Sequence, residues 1–421
     1  MSKEKLTLLY AVHQAFHWLI VGLTIPIIIL LYQSRGLTLS EIGIVMTVWV
    51  GCNALLEVPL GGAADQYGRK RVYQISLLIT MLGCVVTLYA NSFVSLMIAA
   101  ALLGSARAVY SGTLDAWFYE EFHRLKGNIT YHQASAKVNV MLTLGIGIGC
   151  FLGGQLPFVY KNWSTSEGYQ FNGNVIMTIL LSLLLLMLTQ VIVQESNFKA
   201  DNTTDEASAT KTGVIKHGFV TLRASLNHSI LRPLLLAGFV YGLVLSTVET
   251  LWQPQLMLLQ VNTEIARFGV ISSLYFAMAA LASFSSVKAV AWLNGSHRNL
   301  LFFSRGFSGV VLMLLAQAAS PETFTLLYLL FFFLFTLGYN SERILINHVI
   351  ESKQRSTLLS LYSFTISSGA IFSAGLFSYI ADIYSISTSW MIAAAALVMS
   401  CFWYLKMPQA STTLTNEKLL S

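Results

Sequence analysis

Charge is what this sequence has least of. Aspartate, glutamate, lysine and arginine make up 10% of its 421 residues, where a soluble globular chain carries about a quarter. With 55% of the residues hydrophobic, a water-soluble fold is excluded and the chain is placed in a bilayer. Cysteine is scarce too. Cys52, Cys84, Cys150 and Cys401 each lie inside an apolar run without Cys-x-x-Cys or Cys/His spacing, which argues against disulfides and against a metal site. No Gly-x-x-x-x-Gly-Lys-Ser/Thr occurs, so ATP binding of that kind has no motif. No Ser/His/Asp set converges either, which disfavours a membrane enzyme. The net charge of +6 is not a nucleic-acid signal, because bases in such a chain collect in cytoplasmic loops.

What the chain does have is long apolar runs. A membrane helix needs about 20 mostly apolar residues, and twelve such runs are found, at about 6–31, 40–62, 72–90, 93–118, 134–157, 172–194, 230–252, 265–290, 299–317, 322–345, 357–380 and 387–405. The first is too long for a signal-peptide core and lacks a small-residue cleavage site, so it is expected to be retained. The organisation expected is therefore 1–194 as one six-helix bundle, 195–229 as a polar linker and 230–421 as a second bundle. Bases such as Lys3, Lys5, Arg69, Lys70, Arg71, Arg124 and Lys126 fall on one side, while Arg35 and Lys161 are among the few on the other. That bias places both termini and the linker in the cytoplasm and the protein in the cell (inner) membrane.

The densest charge lies in Gly61-Gly62-Ala63-Ala64-Asp65-Gln66-Tyr67-Gly68-Arg69-Lys70-Arg71, between two apolar runs. Gly68 is free to take φ > 0 at a turn there. The pattern Gly-x-x-x-Asp-x-x-Gly-Arg-Lys resembles the loop between helices 2 and 3 of major facilitator superfamily transporters. The resemblance implies an all-α membrane protein of twelve transmembrane helices in two pseudo-symmetric six-helix bundles. It also implies a gating loop of Gly61, Asp65, Gly68, Arg69 and Lys70. In it Asp65 bonds the start of helix 11, around Ser356 to Leu358, and Arg69 pairs with an acid of helix 4. Asp115 is the first choice for that acid, with Glu120 and Glu121 as rivals. A simpler reading makes the loop a positive-inside anchor. The equivalent loop at 288–299 keeps Gly295 and Arg298 but lacks the acid, so a latch would be one-sided. Gly145, Gly149, Gly153 and Gly154 in helix 5 are similar to a glycine array of family antiporters, with Cys150 in place of its proline. Small residues at that spacing also serve close helix packing alone.

Ionisable groups at membrane depth cost about 2.5 kcal/mol or more and are functional candidates. They are Glu57, Arg107, Asp115 and Glu249, with Glu342, Arg343 and Asp382 nearer helix ends. Arg107, Ser111 and Asp115 are spaced by four and would form one stripe of a continuous helix. Glu57, read as a buried carboxylate, would load and release a proton, or else stay paired to a base. His13 and His17 are one helical turn apart but have no third metal ligand. Trp49, Tyr241, Trp252, Tyr275, Tyr339 and Tyr362 are candidate cavity-lining aromatics.

The function expected is secondary active transport of a small organic molecule by alternating access. No cofactor is needed, since a proton gradient drives it. Proton-coupled antiport in the manner of drug-efflux members comes first, and proton-coupled import of a nutrient second. A transporter-like membrane sensor is the alternative of another class. Partners are the substrate, protons and the lipid bilayer, without nucleic acid, and the protein is expected to be a monomer.

Overall fold

The computed structural model describes residues 1–60, 63–161, 169–194, 228, 230–260, 264–349 and 355–407. The elements among them are α-helices, the form that satisfies backbone N–H and C=O groups without water. In chain order they are α1 (Lys3–Gly22), α2 (Ile28–Ser34), α3 (Leu39–Leu60), α4 (Ala63–Tyr67), α5 (Arg69–Tyr89), α6 (Phe93–Tyr110), α7 (Thr113–Arg124) and α8 (Tyr131–Lys161). There follow α9 (Asn172–Ile192), α10 (Leu231–Leu259), α11 (Ile265–Trp292), α12 (His297–Leu315), α13 (Pro321–Leu337), α14 (Tyr339–Val349), α15 (Arg355–Ile383) and α16 (Ile386–Leu405). Serine side chains start several of them. Ser92 and Ser95 form a reciprocal capping box on α6, and Ser296, Ser320 and Ser385 cap α12, α13 and α16. The expected linker 195–229 lies almost wholly outside the described residues.

Eleven spans among the described residues are long and apolar enough to cross a membrane, with α6–α7 and α13–α14 each counted as one. The expected first run, 6–31, is not among them. It is interrupted between Gly22 and Ile28, because Pro26 has no N–H to give the Gly22 carbonyl and its ring crowds that position. The expected helix at 93–118 is also broken. Gly112 adopts φ 72° and ψ −7° and α7 starts afresh after it. A third break, at Gly338, separates α13 from α14 within the expected run 322–345.

Contacts divide the chain into two compact units. The first comprises Met1–Asn202, Thr250–Ala277 and Ala374–Asp382, and the second Thr203–Glu249, Met278–Ser373 and Ile383–Ser421. The first is built on α1 and α8, which approach at backbone distance. A Cβ on Gly145, Gly149 or Gly153 would run into the backbone of Ala15, Leu19 or Leu23 in turn. Gly154 meets Gly269 of α11 in the same way. Also within this unit, Gln253 Nε2 donates to the Ile25 carbonyl (2.8 Å) and Ser273 Oγ to that of Gly147 (2.8 Å). Asp382 accepts from Ser40 Oγ (2.6 Å) in the first turn of α3, where an acid suits the helix dipole. The second unit has its own close pair. Gly242 of α10 and Gly369 of α15 abut the backbone of Ile366 and Phe239. Its core gathers Leu234, Leu301, Ile346, Cys401 and Tyr404.

Candidate functional site

Polar side chains inside apolar helices are the candidates, and each unit holds one set. In the first unit the break at Gly112 separates the three residues expected on one stripe. Arg107, in the last turn of α6, stands over the rings of Trp18 (4.9 Å to centroid) and Tyr110 (5.7 Å). Ser111 Oγ donates to Glu57 Oε1 of α3 (3.1 Å). Asp115, in the first turn of α7, accepts from Tyr10 Oη of α1 (2.6 Å). Glu57 is exposed, contrary to the expectation of a buried carboxylate, and so is its partner Ser111 at the break after α6.

Around Arg107 lies a network that sequence spacing only hinted at. Tyr110 stacks on His17 (4.4 Å, 19°) and donates to Gln14 Oε1 (3.3 Å). His17 Nδ1 is 2.9 Å from Tyr73 Oη, and His13 Nε2 is 2.9 Å from Thr189 Oγ1. The two histidines thus serve hydrogen bonds between α1, α5 and α9. Among the described residues no group of side chains is arranged to hold a metal ion.

The loop motif is partly described. Gly61 lies outside the described residues, as does the Asp65 carboxylate with its expected bond near Ser356, although the Asp65 backbone forms part of α4. Gly68 takes φ 89° and ψ 137°, a region open almost only to glycine. Replacing Gly68 by alanine is therefore expected to cost about 1–3 kcal/mol, read as a lowered thermal unfolding midpoint of the purified protein. An unchanged midpoint would refute the strain argument. Arg69 does not pair with Asp115. Its Nη2 donates to Glu120 Oε1 (2.6 Å). Because the helix restarts at Thr113, Asp115 falls on the side of α7 that meets Tyr10, and the rival Glu120 meets α5. Lys70 Nζ donates to the Gln190 carbonyl (2.9 Å) in the last turn of α9, a favourable place for a cation.

The second unit holds a cluster in which Glu342 and Tyr241 were candidates from the sequence and the central residue, Arg305, was not. Arg305 of α12 and Glu342 of α14 form an ion pair (3.0 Å) with side chains 1% and 0% exposed. Arg305 Nη1 also donates to the Phe335 carbonyl near the end of α13. Its guanidinium lies 4.3 Å from the Tyr241 ring centroid and 4.7 Å from that of Phe335, and these two rings stack at 4.5 Å. Tyr404 Oη donates to Glu342 Oε1 (3.2 Å). Arg305 thus braces the break at Gly338, holding the end of α13 and the first turn of α14 together. The signal was present in the sequence, since Arg305 is the one charge within Leu300–Leu315. It is the same signal that singled out Arg107.

Glu249, in α10, is exposed. The expected aromatic lining divides. Trp252 is 4% exposed and packs on Phe268 (5.6 Å), and Tyr362 is 8% exposed beneath Gly238. Both are packing residues, since a neighbouring helix covers each ring. Tyr241 belongs to the Arg305 cluster. Trp49 and Tyr275 are half-buried and Tyr339 is exposed.

Three comparisons bear on this arrangement. Residues 11–352 match the model of the Major Facilitator Superfamily. A Bacillus subtilis protein called an uncharacterized MFS-type transporter, YxaM, is 22% identical over 57% of this chain and 56% of its own. Another, Ent638_1421 of Enterobacter, is 28% identical over 39% of this chain and 41% of its own. The chain thus spans about half the length of the curated relatives it matches. The solved structure of the nucleoside transporter NupG superposes with a TM-score of 0.75 at 13% identity, over 95% of this chain and 98% of that one. A bacterial homologue of the human lysosomal transporter Spinster gives 0.66 at 12% identity, over 96% and 95%. At such identities the likeness is one of fold. With its family match running from residue 11 to residue 352, the chain belongs to the Major Facilitator Superfamily.

Proposed function

We propose that the protein is a secondary active transporter, not an enzyme, which moves a small organic molecule by alternating access with proton exchange as the driving force. The family supports transport, and so do the names of the relatives. The observation that carries the proton-coupled reading is that Glu249 is an exposed carboxylate within the span Leu231–Leu259, with a second exposed carboxylate, Glu57, at the end of the span Leu39–Glu57. An ionised carboxylate at such a place is stable facing water and not hydrocarbon, and a carboxylate open to water can exchange a proton with it. Export comes first. The glycine array of α8 that points to antiport is employed in packing, Gly145, Gly149 and Gly153 on Ala15, Leu19 and Leu23 and Gly154 on Gly269 of α11, so direction rests on the analogy alone and import stays the second reading. The orientation proposed has both termini in the cytoplasm, with α1 and α2 together as a first span of twelve.

The test is reconstitution in liposomes with an imposed pH gradient and a panel of labelled compounds. Glu57→Gln and Asp115→Asn are expected to reduce gradient-driven movement to the level of protein-free liposomes while leaving exchange at equal pH. Wild-type accumulation in both variants would remove these acids from the coupling. Transport independent of any pH gradient would end the proton reading.

A further inference from the structure

Two arginines within membrane spans, Arg107 and Arg305, are treated differently by the fold. Arg305 has Glu342 at 3.0 Å and is fully buried. Arg107 is half-buried, and its contacts are with the rings of Trp18 and Tyr110. Among the described residues it has no carboxylate within ion-pair distance and no hydrogen-bond acceptor. The rings hold the guanidinium without using any of its five N–H donors. Beside it, Gln14 accepts from Tyr110, while its own Nε2 is buried without a hydrogen-bond partner. Two acids of the same unit are engaged elsewhere, Glu57 with Ser111 and Asp115 with Tyr10. A guanidinium in a membrane span without a counter-charge is costly, and a buried amide donor without an acceptor adds to that cost. Donors in excess on an aromatic wall are matched by a ligand that brings acceptors, negative charge and an apolar body.

We infer that Arg107 is the anion-binding residue of the transported molecule, which is a small organic acid bearing a carboxylate or phosphate, its apolar part lying against Trp18 and Tyr110. This rests on the transport reading above and narrows its substrate class. The guanidinium fork suits either anion in bidentate fashion. The phosphate of a lipid headgroup has the same chemistry, so the test must separate the two sources.

The experiment uses the full chain in phosphatidylcholine liposomes, with benzoate and phenyl phosphate as probes, and benzamide and benzylamine as neutral and cationic counterparts. Saturable uptake of the anions is expected, with KM raised about 10- to 100-fold in Arg107→Gln and raised less in Arg107→Lys, which keeps the charge but loses the fork. The anions should also raise the unfolding midpoint of the wild type and not of Arg107→Gln. Should Arg107→Gln fail to fold, wild-type preference for anions over both counterparts supports the assignment and the reverse preference overturns it. Movement of benzamide or benzylamine with no response to the anions overturns the assignment alone, and transport stands. An Arg107-dependent midpoint shift by anions, with none of the four compounds moving, supports the anion site and counts against transport. An effect of phosphatidylglycerol at Arg107 with none from either probe would assign the residue to lipid and overturn the inference.

Discussion

Glutamine in place of Glu342 is expected to destabilise the second unit by about 3–5 kcal/mol, because it strands the Arg305 charge in a site that is 1% exposed. The loss comes from the arginine left behind more than from the bond removed. Glutamine cannot neutralise the guanidinium, and it accepts less well from Tyr404 Oη, now 3.2 Å from Glu342 Oε1. Removing both charges together should be much milder, since apolar residues of similar volume often replace a buried pair at little net cost. The double change Arg305→Met with Glu342→Leu is therefore expected to recover much of the lost stability, leaving the Phe335 carbonyl without its donor and the Tyr404 hydroxyl without its acceptor. Thermal unfolding of the detergent-solubilised protein, followed by tryptophan fluorescence, measures both. A single variant as stable as the wild type, or a double variant worse than the single, would contradict this account of the cluster.

Gly149→Val should cost about 3 kcal/mol or more. A Cβ at Gly149 would fall on the carbonyl oxygen, carbonyl carbon and Cα of Leu19, and backbone cannot rotate aside as a side chain can. The α1 and α8 helices would have to part along a contact that also uses Gly145 and Gly153. Overpacking against flexible neighbours costs about 1–3 kcal/mol, and this clash should reach or pass the upper end. Gly147 supplies the control. It lies on the same helix, with nothing within 4 Å of where its Cβ would stand, so Gly147→Ala should leave yield and unfolding midpoint unchanged. Equal losses in the two variants would show that contact with α1 is not what matters.

These residues also show how much could be read beforehand. Gly68 and the α8 glycines were legible because glycine marks a backbone requirement that no other residue meets. The spans were legible because bilayer thickness sets the length of an apolar run. The breaks were less so. Hydropathy counts side chains, and the run through Pro26 stays apolar while its backbone loses a hydrogen bond. At Gly338 the cause is even more remote, since Arg305 takes the Phe335 carbonyl from another helix. Pairings between distant residues were the hardest. Arg69 had three acids within reach of the argument, and only the restart of the helix at Thr113 brings it to Glu120. Trp252 and Tyr362 were proposed as lining because of their type, but burial is decided by the helix opposite.

Gly112 has open space around it, with nothing within 4 Å of where a Cβ would stand. The break itself is therefore free of packing, while α7 beyond it is held by Leu114, Trp117 and Phe118 in the core that they share with Tyr10. Arg107 is consequently carried by α6, and Asp115 and Glu120 by α7, a short rod fastened at Tyr10 and at Arg69. Two charges eight residues apart, which a straight helix would hold in one fixed relation, are thus set by the packing of two separate helices.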